Sequence, residues 1–256
     1  MSKLNPNEMG FFDHLEELRG RIFKSLILWV LVFIVCFLFS KQIFNLLAQP
    51  FSDYMKRDIL WYATNPSEPF FAHLRAAFWV SIILSSSIVF YHVWSFVSPG
   101  LEKNEKQFAI PFLIFMAIFF MIGCWFSFSI VFPYVLNFLI SWNEGGVDAY
   151  TRSKYLSLLF GFVLGLGSCF EMPLIIFFFA KIGLVTPQFL LAKFKYAILA
   201  IAILAAIITP TPDIPTQCIV AIPLICLYLI GVGAAFLVVK KPQEEAEDEN
   251  LPEKIP

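Results

Sequence analysis

Charged side chains are scarce in this sequence. They make up 14% of its 256 residues, against roughly 25% in an ordinary soluble domain, which excludes a chain built to fold in water. Histidine is rarer still: the chain has three, His14, His73 and His92, far apart in sequence. Neither a histidine-based triad nor a metal centre has support from them. The five cysteines (Cys36, Cys124, Cys169, Cys218 and Cys226) all fall in apolar runs without CxxC or Cys/His spacing. In that setting a thiol is a small hydrophobe. No G-x-S-x-G, H-E-x-x-H or phosphate-loop pattern occurs, so the sequence offers no catalytic residue, no cofactor site and no metal ligand set. A basic face interleaved with aromatics is missing too, which argues against nucleic acid as a partner. The first apolar run is too long for a cleavable signal peptide and lacks an A-x-A end.

What the sequence has is apolar length. Hydrophobic residues make up 59% of the chain, and 31 residues are Phe; about 20 apolar residues cross a hydrocarbon core as a helix. Six stretches stand out, at 22–40, 70–97, 108–132, 154–181, 195–208 and 214–239. They predict an all-α integral membrane protein with six transmembrane helices. The chain then divides into an N-terminal segment (1–21), the six-helix membrane domain (22–239) and an acidic tail (240–256) expected to be disordered. An even number of spans puts both termini on one side. Twelve Lys and Arg near the span ends fall on that side and five on the other, so the positive-inside rule makes both termini cytoplasmic.

The longer outer connections, 41–69 and 133–153, mix apolar residues with prolines and charges and predict structured periplasmic cap loops with short interfacial helices. The run from Phe108 to Trp142 holds no charge and outlasts one upright span, so Pro133 is expected to end or kink it. Helices five and six are expected to be short. The fifth offers thirteen residues, Tyr196 to Ile208, about 20 Å at 1.5 Å per residue, well under a core of roughly 30 Å. Such a hairpin has to thin the bilayer, draw in water or lean on a partner.

Few polar residues remain inside the spans. Glu171, in LGLGSCFEMPLIIF, lies mid-span, where an ionisable group costs about 2.5–3.5 kcal/mol or more and is functional by default. It suits a proton or ion relay, a polar handle for a partner helix, or a structural carboxyl hydrogen-bonded between helices. Pro173 predicts a kink beside it, and Gly161, Gly165 and Gly167 leave room for close helix approach. Thr209, Thr211, Asp213 and Gln217 cluster at the tip of the hairpin. They form either a wetted turn in which Asp213 caps the last span or a contact surface. His73 and Arg75, where span two begins, are explained by snorkelling to the interface.

Four segments in order carry a resemblance: HLEELRGR before span one, SPGLEKNEK after span two, FGFVLGLGSCFEMP in span four and TPTPDIPTQ before span six. Together they resemble TatC, the polytopic receptor subunit of the twin-arginine protein translocase, over about residues 11–236. The resemblance implies a protein of the bacterial cytoplasmic (inner) membrane that binds the twin-arginine signal peptides of folded cargo. It implies assembly with TatA and TatB-type single-span proteins, with other copies of itself and with membrane lipid, for export driven by the proton-motive force. Carried over by position, it places Glu17, Leu18, Arg19, Phe96, Leu101 and Glu105 at the signal peptide, with Glu17 and Glu105 as the receptor carboxylates. Glu171, Thr209, Asp213 and Gln217 are then the residues that meet partner subunits. Thr211 interrupts a proline pair that the family commonly has at the tip.

The chemistry fits that implication. An arginine guanidinium joins a carboxylate through two parallel hydrogen bonds, whereas lysine offers a point charge without the fork. The alternative is an ion-coupled secondary transporter of a small solute using Glu171. Such carriers show internal repeats and more polar lining, and no repeat is evident here.

Overall fold

Helices follow the apolar runs because backbone groups in hydrocarbon have to pair within their own segment. The computed structural model describes residues 11–55, 60–97, 109–141, 149–209 and 213–238. Helix α1 (Phe11–Leu38) and helix α2 (Ser40–Met55) precede a short strand β1 (Leu60–Tyr62) and the long α3 (Glu68–Val97). Then α4 (Ala109–Phe126), a π-helical turn (Ser127–Val131) and α5 (Phe132–Ser141) form one uninterrupted rod. Strand β2 (Ala149–Thr151) leads into α6 (Arg152–Cys169), followed by α7 (Met172–Lys181), α8 (Pro187–Ala192), α9 (Phe194–Ile208) and α10 (Ile214–Val238).

Five stretches among the described residues are long and apolar enough to cross a membrane: Arg19–Leu38, Glu68–His92, Pro111–Ser141, Arg152–Lys181 and Ile214–Val238. Helix α9 is shorter, with 15 residues, about 22 Å. The expectation that the last helix is short as well is corrected. It runs 25 residues, about 37 Å, because Pro223 removes one backbone donor without ending the apolar run. Pro133 does not end the third span either. The backbone takes up its missing N–H in the π turn just before it, where Phe132 donates to Ser127, five residues back.

Helix α3 is the spine, with α1, α2, α4 and α6 packed on it, while α7, α8 and α9 pack on α10. Two loops meet over the N-terminal ends of α3 and α6. Phe51 of α2 is buried among the rings of Trp61, Tyr150 and Tyr155 at 5.6, 4.7 and 5.4 Å. Strands β1 and β2 pair in parallel, Leu60 opposite Ala149 and Tyr62 opposite Thr151. The fold is therefore helical with one three-residue strand pair, not strictly all-α. The pairing is parallel because each strand feeds a span that runs the same way, α3 and α6.

Polar contacts fasten this cap. Glu68 accepts from the Thr64 backbone N–H at 2.7 Å, the Thr64 hydroxyl at 2.9 Å and the Ser153 N–H at 3.4 Å. Arg75 donates to the Ser153 carbonyl at 3.2 Å and the Ser157 hydroxyl at 2.9 Å. It is a brace between α3 and α6. Tyr155 donates its hydroxyl proton to the Leu47 carbonyl at 2.6 Å. Tyr155→Phe keeps the ring and deletes only this bond, so it is expected to cost about 1 kcal/mol. A thermal unfolding curve in detergent checks it, and an unchanged midpoint counts against the bond as a cap fastening.

Candidate functional site

Glu171 sits where the fourth span breaks. Pro173 has no N–H, so the Cys169 carbonyl loses its donor four residues on, and Phe170 and Glu171 form a turn between α6 and α7. The kink expected there is present. The side chain is 5% exposed. It faces the Phe120 backbone of α4, yet neither Oε1 nor Oε2 makes a well-formed hydrogen bond. A buried carboxyl in this state is an exception to the rule that buried polar groups are satisfied, and it calls for an explanation.

Close helix approach beside Glu171 depends on two glycines. A Cβ on Gly123 of α4 would stand 2.7 Å from Phe170 Cβ and 3.0 Å from Gly167 Cα. A Cβ on Gly167 would meet Cys124 Sγ at 2.7 Å. Gly165 is covered by Ile208 at the end of α9, at 3.0 Å, whereas Gly161 has open space around it. Close packing is thus found at Gly165 and Gly167 and not at Gly161.

The Gly165–Ile208 contact also sets the depth of the hairpin tip. Gly165 lies thirteen residues along α6 from Arg152, about 20 Å from that helix's start. It is six residues from Glu171, about 9 Å along the axis. The tip of the α9–α10 hairpin therefore stops far short of the cap and comes level with the middle of the fourth span. Glu171 and the tip residues share one depth range.

The tip residues themselves are internally occupied. Thr209 donates its hydroxyl to the Ala205 carbonyl at 2.9 Å. Asp213 accepts from the Thr216 N–H at 2.9 Å and from the Thr216 hydroxyl, the N-cap expected for α10. Gln217 donates from Nε2 to the Ala202 carbonyl at 2.8 Å and ties α10 to α9. Of the four residues expected to meet partners, these three have internal hydrogen-bonding roles, and the Glu171 carboxyl makes no well-formed hydrogen bond among the described residues.

Of the residues expected at the signal peptide, Arg19 is exposed with its guanidinium 5.7 Å from the Phe23 ring. Glu17 and Leu18 lie on the α1 backbone and Phe96 on that of α3, with side chains outside the described residues, as Leu101 and Glu105 are altogether. Sequence reasoning passed over Ser127, whose buried hydroxyl has no partner among the described residues. The serines at 127 and 129 in the charge-free run before Pro133 were the available signal. Among the described residues no group of three or more His, Cys, Asp or Glu could hold a metal.

Bundle, cap and site together define a polytopic α-helical membrane protein whose intramembrane polar chemistry gathers at one carboxyl and one hairpin tip. The profile of the "Sec-independent protein translocase protein (TatC)" family matches residues 13–223. The chain is 36% identical over 245 residues to the Sec-independent protein translocase protein TatC of Koribacter versatilis, covering 94% of this chain and 90% of that one. It is 32% identical over 235 residues to the Escherichia coli K12 protein of the same name, covering 91% of each. Among solved structures, a crystal structure described as the twin arginine translocase receptor TatC superposes with a TM-score of 0.75. That match is at 32% identity and covers 88% of this chain and 99% of the other. The chain belongs to the TatC family. The reading as an ion-coupled carrier of a small solute finds no support in these comparisons.

Proposed function

We propose that this protein is the receptor subunit of a twin-arginine translocase and binds the paired arginines of signal peptides on folded cargo. The observation that carries this reading is the likeness, over 88% of this chain, to the crystal structure described as the translocase receptor. Within it the chain keeps both carboxylates, Glu17 and Glu105, in their motifs. Leu18, Arg19, Phe96 and Leu101 line the same recognition region. The working topology has six spans, with α9 as the short fifth, and both termini in the cytoplasm. The protein sits in the bacterial inner membrane, with segment 1–21 ahead of the membrane domain 22–239 and the tail 240–256 behind it.

TatA and TatB-type single-span proteins assemble at the hairpin and Glu171. The buried carboxyl without a well-formed hydrogen bond supports this, since a donor on a partner helix would satisfy it. Thr209, Asp213 and Gln217 serve that contact indirectly by holding the hairpin in shape. Export is driven by the proton-motive force.

The test is capture of the purified full chain by an immobilised peptide bearing the twin-arginine motif, against the same peptide with two lysines. A two-hydrogen-bond fork separates the ligands, so binding is expected to fall at least about tenfold with lysine, a difference of roughly 1.4 kcal/mol. Equal capture would remove the receptor reading.

A further inference from the structure

Helix α1 is a single helix of 28 residues that stands chiefly on α3 and touches α2 less. Its other faces expose Ile27, Leu31, Ile34 and Val35, so its tilt is set at the contact with α3. Two aromatic pairs fix that contact: Phe37 with Phe70, ring centroids 6.3 Å apart, and Trp29 edge-on with Phe78 at 5.5 Å. The pairs are eight residues apart on both helices, in opposite directions, so the helices run antiparallel. Toward the N-terminus of α1 the facing positions turn small. Ser25 lies one turn from Trp29, and Ser81 and Ser85 lie one and two turns beyond Phe78. Their hydroxyls donate to carbonyls of their own helices, at 3.1, 2.7 and 3.2 Å, so none donates across the contact. We propose that Trp29 is a positioning residue: its indole, set against Phe78, fixes the tilt of α1 and thereby the place of Glu17 at the signal peptide.

On the receptor reading, on which this inference rests, Glu17 takes one guanidinium of the cargo's signal. Glu17 lies twelve residues from Trp29 and twenty from Phe37, about 18 Å and 30 Å along the helix. With α1 turning as a rod about the Phe37–Phe70 contact, each ångström lost at Trp29 moves Glu17 by about 2.5 Å. A charge-assisted hydrogen bond of roughly 2.7–2.9 Å does not survive a shift of that size. Tryptophan is also a costly choice here. Its indole N–H is buried without a partner among the described residues, although buried donors are normally paired. Phenylalanine would bring no such donor, so what tryptophan adds at this position is breadth between the helices.

The test reads two quantities on the purified full chain: capture by an immobilised twin-arginine peptide and the thermal midpoint in detergent. Trp29→Phe is expected to lower capture about tenfold, the loss of one charge-assisted hydrogen bond. Its midpoint should hold or rise, because the unpaired donor goes with the indole. Adding Phe78→Trp restores the ring pair from the other helix and should recover capture. In a Glu17→Ala background Trp29→Phe should change the remaining capture little, since the two residues act through one contact. Undiminished capture by Trp29→Phe overturns the proposal. So does a midpoint that falls together with capture, which marks a purely structural role, or an equal loss when Glu17 is already absent. The two readings fail separately. Equal capture of twin-arginine and twin-lysine peptides by the wild type removes the receptor reading and this inference with it. Discrimination by the wild type that persists unchanged in Trp29→Phe removes this inference alone.

Discussion

Replacing Glu17 and Glu105 together by alanine is expected to abolish capture of a twin-arginine peptide while the protein stays folded. Each carboxylate, on the receptor reading, takes one guanidinium through charge-assisted hydrogen bonds, which are worth roughly 1.5–3 kcal/mol apiece. Losing one bond's worth at both sites removes about 3–6 kcal/mol, or about a hundredfold to ten-thousandfold in affinity. Each single variant should give an intermediate loss. Because the pairs lie near the membrane surface, raised salt should weaken wild-type capture in the same direction. Glu16 is the internal control. It is exposed on α1 one residue away, and Glu16→Ala should leave capture unchanged. Circular dichroism guards against misfolding. Undiminished capture by the double variant would falsify the assignment of both carboxylates.

The second large effect concerns the crossing of α4 and α6. At Gly123 a Cβ would lie 2.7 Å from Phe170 Cβ and 3.0 Å from Gly167 Cα. Neither neighbour is the loose end of a flexible chain, so the helices themselves have to part. Gly123→Val is expected to cost about 1–3 kcal/mol by overpacking and to lower the thermal midpoint in detergent. It also displaces Phe170, the residue before Glu171 in the turn, so co-purification of partner subunits should fall as well. Gly161→Ala makes the contrast. Nothing stands within 4 Å of its added Cβ, and alanine is favoured over glycine inside a helix by roughly 0.5–1 kcal/mol. That variant should be neutral or more stable. Equal midpoints for the two variants would refute the close-crossing account.

Much of the helical layout was legible beforehand, and the misses share a cause. The short α9 and the break at Pro173 follow from local rules, a run length and a missing N–H. Helix α10 was expected to be short although its apolar run was legible from 214 to 239; Thr216 and Gln217 near its start are satisfied within the hairpin and let the helix begin at Ile214. Three-residue strands were invisible because Leu60–Tyr62 and Ala149–Thr151 pair only with each other across the cap. The bracing role of Arg75 was hidden because its acceptors, Ser153 and Ser157, lie some eighty residues away in sequence.

The same division holds for the site. Glu171 stood out from one residue in an apolar run, and Glu17 and Glu105 from two short motifs. Composition and spacing determined that the chain is a membrane-spanning helical protein, because hydrocarbon admits a single solution for a long apolar segment: a helix that pairs its own backbone. Which polar side chains have partners was decided only by the tertiary structure. Gln217 reaches back to Ala202, Tyr155 reaches Leu47 across more than a hundred residues, and the Glu171 carboxyl makes no well-formed hydrogen bond among the described residues. Hydrogen bonds depend on distance and angle between groups that folding brings together, and no local pattern in a sequence encodes those.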